Sequence, residues 1–292
     1  MDDLARYNRE RWEELVQAGV RYSQPFLNLD PRSARRAVDP EGLLGRIGGR
    51  EVLCLAGGGG QQSAAFGLLG ARVTVLDLSP TQLERDRQAA AHYGLTVRTV
   101  EGDMRDLSGF RASSFHIVWH AHSLGFVPDS LRVIAEVSRV LRARGVYRLC
   151  YTNPYVHGAW DRWSGSGYLL GDAYVDGGEV RYEDNRWDVG QPDGTQKKVP
   201  GPKEFRHSLA TVVNGLIDLG FVILGLRETC REPDEDGAAR AALRPGSWEH
   251  FVSVAPPYLT VVATRRPDLV RRARARGATP LPRPIPRRTM RP

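Results

Sequence analysis

The sequence predicts an α/β fold built on a doubly wound, mostly parallel sheet. Three observations carry this. Apolar runs of strand length alternate with amphipathic stretches from residue 50 onward, four glycines follow the first run, and an aspartate ends the second.

The N-terminus comes first. Leu4, Tyr7, Trp12, Leu15 and Val16 fall near one face if residues 3–19 are helical, and such a helix needs a surface to pack on. Residues 20–45, punctuated by Pro25, Pro31 and Pro40, read as an irregular or partly helical connection, so residues 1–45 form a helical cap. The main domain is expected over 46–264. EVLCLA, RVTVLDL, TVRTVEGD, HIVWHAH and GVYRLCYTN read as strands, with QQSAAFGLLG, PTQLERDRQAAAHYG and DSLRVIAEVSRVLRARG as the helices between them. Right-handed crossovers then cover a parallel sheet on both faces. Residues 154–203 break the alternation, being rich in Gly, Asp, Trp and Tyr, and read as a substrate-covering insertion of loops with a small hairpin. Regularity returns with EFRHSLATVVNGLIDLG, a helix ended by Gly220, and with FVILGLRE and YLTVVATRR as strands.

Charge separates the chain into body and tail. Of 41 basic and 34 acidic residues, ten arginines and one aspartate lie in residues 265–292, leaving 31 basic and 33 acidic residues elsewhere. The body is near neutral, and the Pro-rich basic tail reads as a disordered terminus, so a nucleic-acid partner is not expected. No run of eighteen apolar residues and no basic-then-apolar leader occurs, which argues against a membrane span and a secretory signal. Cys54, Cys150 and Cys230 are widely spaced, with no CxxC pair, which fits a reducing cytoplasm; Cys54 and Cys150 are expected as buried core thiols.

The chemistry centres on EVLCLAGGGGQQS, a buried strand running through Ala56, Gly57, Gly58, Gly59 and Gly60 into a helix. Such a bend lets backbone approach a ligand, and the first helical amides are expected to point at a nucleotide-like or carboxylate-bearing group. Asp77, with Leu78 beside it, ends the second strand, where a carboxylate accepts from ribose hydroxyls. The dinucleotide spacing fits imperfectly, because Gln62 or Ser63 stands where a third small residue is required. Gly102-Asp103-Met104 follows the third strand, where an acid can accept from an adenine amino group and the apolar neighbour can cover the ring.

On these residues the chain resembles the class I S-adenosylmethionine-dependent methyltransferases of Rossmann-like fold, over residues 50–153 and 204–264. The resemblance implies a seven-stranded sheet with an antiparallel last strand, supplied by FVILGLRE and YLTVVATRR. It implies S-adenosylmethionine as cofactor, held by Ala56, Gly57, Gly58 and Gly60 at its methionine part, by Asp77 and Leu78 at the ribose, and by Asp103 and Met104 at the adenine. His120 is expected beside the cofactor. Two departures stand out: Cys54 replaces the acid usual in the first strand, and Ala56 replaces the first glycine.

Methyl transfer from a sulfonium is an in-line displacement needing a positioned acceptor and, for some acceptors, a base. His122, just beyond the fourth strand, is the first catalytic candidate, and His207, read in the helix after the insertion, the second. Asn153, Tyr155 and His157 open the insertion and are expected to face a small-molecule acceptor, together with Tyr7 and Trp12 from the cap. The insertion's aromatics Trp160, Trp163, Tyr168, Tyr174, Tyr182 and Trp187 either line a lid or form its own core. No metal motif is present. The alternatives are a non-catalytic cofactor-binding accessory or sensor protein, a nicotinamide-dependent oxidoreductase and a nucleic-acid methyltransferase.

Overall fold

In the computed structural model, which describes residues 1–182, 184–191, 193–229 and 243–270, seven helices surround one large sheet. The strands are β1 (Glu51–Leu55), β2 (Arg72–Asp77), β3 (Val97–Glu101), β4 (Phe115–His120), β5 (Leu141–Thr152), β6 (Glu179–Val180), β7 (Arg186–Gly190), β8 (Gln196–Pro200), β9 (Glu204–Phe205), β10 (Phe221–Thr229) and β11 (Tyr258–Arg265). The helices are α1 (Asp3–Gln17), α2 (Pro31–Val38), α3 (Gln62–Leu68), α4 (Pro80–His92), α5 (Ser130–Val140), α6 (Leu209–Asp218) and α7 (Trp248–Val254). Residues 271–292, most of the basic tail, and Cys230 lie outside the described residues.

The main sheet has the order β10-β11-β5-β4-β1-β2-β3. Neighbours from β5 to β3 pair in parallel, and β11 is antiparallel to both β5 and β10. The expected Rossmann-like, seven-stranded sheet with its antiparallel last strand is therefore present. The apolar runs of β1, β2 and β4 are buried on both faces. Leu53 and Leu55 enter one core beneath α5 and α6, while Val52 and Cys54 enter a second core under α2 and α3. Burying each such leucine is worth roughly 1.5–3 kcal/mol. Cys54 is fully buried, whereas Cys150 is only half-buried.

Helix limits follow their caps. Asp129 accepts from the Arg132 amide at 3.0 Å to start α5. That helix stops at Val140, short of the expected RARG stretch, because Leu141 is drawn into strand pairing with Phe115 and Arg144 takes a left-handed φ of 62°. Gly145 then lies where a Cβ would meet the His116 carbonyl at 3.0 Å. Ser208 caps α6, which therefore begins at Leu209 and leaves His207 outside it, and Gly220 at φ 80° follows its end.

Cap and insertion pack on each other. The β7–β8 hairpin supplies Val189 and Val199 to a small cluster with Leu15 and Val20. Trp12 sits edge-on to Phe126 at 5.4 Å and to Trp187 at 5.6 Å. Buried Asn8 donates to the Phe126 carbonyl at 3.0 Å and accepts from the Lys203 amide at 2.9 Å, tying α1 to the loop after β4 and to the end of the insertion.

Candidate functional site

β1 lies between β2 and β4, so the carboxyl ends of these strands bound the crevice where ligands bind in open α/β sheets. The bend leaves β1 through Ala56, which has a positive φ of 43°. A Cβ is strained there, which is the physical reason a glycine is expected at this place. Ala56→Gly should therefore be between neutral and about 1 kcal/mol stabilising in urea unfolding. The same exchange in a helix interior loses roughly 0.5–1 kcal/mol.

At Gly58 a Cβ would lie 2.5 Å from the Gln82 Cβ and 3.0 Å from the Asp77 carboxylate. At Gly60, with φ 73°, it would lie 2.6 Å from the Arg85 carbonyl. These glycines are required by close packing of the bend on α4 and the end of β2.

Three amides of the bend are bonded within the protein. Gly58 N–H donates to Asp77 Oδ2 at 2.9 Å, Gly59 N–H to Asp86 Oδ2 at 3.1 Å and Gly60 N–H to Asp86 Oδ1 at 3.2 Å; the Ser63 hydroxyl also donates to Asp86. These three glycine amides turn toward two carboxylates of the protein, because α4 brings a buried acid under the bend.

Asp77 accepts from the Ser79 amide at 2.9 Å as well, and burial raises its carboxyl above the usual range. Each of its oxygens keeps a lone pair for a ribose hydroxyl. Leu78 stands half-buried beside it. Glu13 of α1 accepts from the Ser79 hydroxyl at 2.5 Å, and Phe26 N–H donates to the Gly60 carbonyl at 3.1 Å, so the cap lies directly against this corner.

At the end of β3, Asp103 is not free. The Arg105 Nε donates to it at 2.9 Å, and the same guanidinium reaches Asp2 at 2.8 Å and 2.9 Å. A cavity of about 670 Å³ opens beside Gly102 and Asp103, walled also by Met1, Asp2 and Phe110. Met104 is 4% exposed and sits in the core, so it does not cover that space as expected. His120 departs further. It is fully buried, its Nδ1 lies 2.9 Å from the Tyr147 hydroxyl, and burial pushes its pKa down to about 3. It is held in the core by Tyr147 of β5.

His122 is solvent-exposed at the carboxyl end of β4. Its Nε2 lies 2.9 Å from the Thr152 hydroxyl and its ring packs on Tyr258 at 4.2 Å. Desolvation by the protein packed around the ring lowers its pKa against the opposing pull of Glu204, and the imidazole is neutral near pH 7. Deeper lies His157, whose Nε2–H donates to Glu204 Oε2 at 2.9 Å, while the Tyr182 hydroxyl donates to the same oxygen at 2.9 Å. Burial disfavours charge on Glu204, but the bonds from His157 and Tyr182 outweigh it and hold the carboxyl below its ordinary range. His122, His157 and Glu204 are close enough to perturb one another's charge, so they form one polar corner between β4, β5 and the insertion.

The other expected residues have partners within the protein. His207, outside α6 and buried, has its Nε2 on the Leu124 and Val127 carbonyls at 3.0 Å and 2.8 Å, and burial lowers its pKa. Asn153 donates through Nδ2 to the Pro256 carbonyl at 2.9 Å, a strand-end lock. Trp12 is in the cap–insertion cluster, and Tyr7 lies beneath Arg11 and Lys203 at 5.2 Å and 5.7 Å. Tyr155 is 58% exposed and stacks on Tyr174 at 5.2 Å.

Sequence reasoning missed Asp86, Glu204 and α7. Asp86 left a signal: with Leu83 and Ala90 it falls at helical spacing on the buried face of α4. Glu204 left none, since its place depends on the two-residue pairing of β9 with β6. The aromatics of α7 complete the insertion's own core: Trp163 meets His250 at 4.9 Å and Tyr168 meets Phe251 at 4.9 Å.

Residues 53–149 match the family described as a methyltransferase domain. Over 244 residues the chain is 33% identical to the uncharacterized methyltransferase YbaJ of Bacillus subtilis, covering 78% of this chain and 91% of that protein. It is 34% identical over 109 residues to a ubiquinone biosynthesis O-methyltransferase of Haemophilus ducreyi, covering 36% of this chain and 46% of that protein. An S-adenosylmethionine-dependent methyltransferase of Mesorhizobium loti shares the fold, with a TM-score of 0.57 and 22% identity over 82% of this chain and 100% of that one. A sheet of this order, a glycine bend packed on a strand-end aspartate, and these relatives together make the chain a member of the class I S-adenosylmethionine-dependent methyltransferases, with S-adenosylmethionine as its cofactor.

Proposed function

We propose that this enzyme methylates a small-molecule acceptor held in the corner formed by His122, His157 and Glu204, with the cofactor ribose on Asp77 and its methionine part over the bend from Ala56 to Gly60. The single observation that carries the reading is the placement of two polar groupings at the same sheet edge. Asp77 and the bend end β2 and β1, while His122 and Thr152 end β4 and β5. The bound cofactor supplies a methyl group on a positively charged sulfur, open to in-line attack.

The chain's own residues then have distinct tasks. Asp77, through its two oxygens, orients the ribose; Asp103, held by Arg105, presents a fixed carboxylate edge to the adenine. His122, neutral and solvent-accessible, accepts the acceptor's proton or a hydrogen bond from it, with Thr152 fixing its ring. Glu204 fixes the orientation of His157. His207 and Asn153 serve as positioning residues, since their side chains are engaged by backbone groups. The insertion 154–203 borders the corner, and Tyr155 and Tyr174 offer an aromatic face at its rim.

A small acceptor is supported by relatives that include a ubiquinone biosynthesis O-methyltransferase. No helix among the described residues is long and apolar enough to cross a membrane, and the free thiols Cys54 and Cys150 support a reducing, cytoplasmic setting. The test is incubation with S-adenosylmethionine and panels of phenols, amines, carboxylic acids, tRNA and duplex DNA, reading S-adenosylhomocysteine release. Turnover with a small molecule supports the proposal; turnover confined to nucleic acid contradicts it.

A further inference from the structure

We infer that Asp86 is a positioning residue for the cofactor bend, its ionised carboxylate holding Gly59 and Gly60 in the binding shape, so that cofactor affinity falls when this group takes a proton. The inference rests on the proposed seat of the cofactor over the bend, and it adds a residue and a pH response to that seat.

The geometry is specific. Asp86 is fully buried in α4, directly under the bend, and each of its oxygens takes a backbone amide, Gly59 at 3.1 Å and Gly60 at 3.2 Å. The Ser63 hydroxyl from the first turn of α3 converges on Oδ1. All three donors are uncharged. An ionised carboxylate accepts them all; a carboxamide must turn its NH2 toward an amide that is itself a donor, and a carboxylic acid, which can place its proton on the Ser63 hydroxyl oxygen, accepts from the two glycine amides more weakly. Gly60 cannot retreat, because its Cα faces the Arg85 carbonyl and Ala89 at distances that exclude even a methyl group. Loss of the charge therefore loosens the hold on Gly60 and leaves the Gly59 amide to the Gln82 carbonyl at 3.2 Å.

Burial makes that charge costly. Desolvation, opposed by the Ser63 bond and reinforced by the neighbouring Asp77, raises the Asp86 carboxyl to about 7. The ionisable groups facing it are Asp77 on β2 and the Cys54 thiol on β1, both pushed upward by burial and neither supplying positive charge. With the folded pKa above the unfolded value, stability from Asp86 is present at acid pH and is lost as pH rises toward 7. The ionised form suited to binding is gained as pH passes through about 7. Function and stability pull in opposite directions at this residue.

The experiment is calorimetric titration of the full chain with S-adenosylhomocysteine from pH 5.5 to 8.5, for wild type and Asp86→Asn, beside a heteronuclear NMR pH titration of the wild-type Gly59 and Gly60 amides. Wild-type affinity should rise about tenfold between pH 6 and pH 8, the ratio of ionised fractions around a pKa near 7. Asp86→Asn should bind about tenfold more weakly at pH 8 and lose the step near pH 7. The two amide signals should titrate together near pH 7 in wild type, a readout that needs no variant to fold. Equal affinity and an unchanged pH profile in Asp86→Asn, or amide signals that stay fixed across this range, overturn the inference while leaving the cofactor seat standing. Absence of binding by wild type at every pH overturns the seat and this inference together.

Discussion

Gly58→Ala is expected to reduce affinity for S-adenosylhomocysteine at least 100-fold, about 2.7 kcal/mol, and to lower the unfolding free energy by roughly 1–3 kcal/mol. The added methyl carbon would stand 2.5 Å from the Gln82 Cβ and 3.0 Å from Asp77 Cγ and Oδ2. Gln82 is buried in the first turn of α4 and cannot withdraw, so the bend must. Withdrawal breaks the 2.9 Å bond from the Gly58 amide and moves the carboxylate on which the ribose reading rests. Gly57→Ala is the control one residue away. Its Cβ would meet Cys54 at an ordinary 3.5 Å, so stability should hold, and any loss of affinity there reports contact with the ligand itself. Urea unfolding and calorimetry on the pair separate the two effects.

His122→Ala is expected to lower kcat about 100-fold, the lower end for a positioned general base, with the KM for S-adenosylmethionine unchanged. The ring bonds Thr152 and packs on Tyr258 outside the apolar clusters of the core, so its removal leaves the core intact. Its pKa lies below the ordinary histidine value, and protonation is therefore postponed to more acid pH. Between pH 8 and pH 6 kcat should stay level while the KM for the cofactor rises as Asp86 takes up its proton. A His207→Ala variant behaves differently. It frees the Leu124 and Val127 carbonyls and should destabilise the chain by about 1–3 kcal/mol. Steady-state kinetics beside thermal unfolding distinguishes the two histidines.

How much of this was legible in the sequence depends on which contacts set each feature. β1, β2 and β4 read clearly because both their faces are buried, which writes unbroken apolar runs into the chain. The glycine bend and Asp77 read clearly because strand-end position and backbone approach are local properties. Side-chain direction was not legible. His120 and His122 are two residues apart at the end of one strand, yet one is locked on Tyr147 and the other faces solvent. Asp103 reads as an open acceptor until Arg105 and Asp2, brought together by the cap, are seen beside it. Asn153 reads as a substrate contact until Pro256, about a hundred residues away, claims its amide. The polar corner was half visible, through His122 and His157, and half hidden, because Glu204 arrives on a strand only two residues long. Local chemistry is written locally; the partners that switch it on or off are chosen by tertiary packing.

The central claim is that the bend after β1 and the carboxylate ending β2 hold the adenosyl cofactor jointly. Calorimetric titration of S-adenosylhomocysteine into wild type and Asp77→Ala at pH 8 tests it most directly. Asp77 would carry two hydrogen bonds to the ribose, each worth roughly 1.5–3 kcal/mol at a charged acceptor, so the variant should bind at least 100-fold more weakly while remaining folded by circular dichroism. A folded Asp77→Ala protein that binds as tightly as wild type would contradict the account.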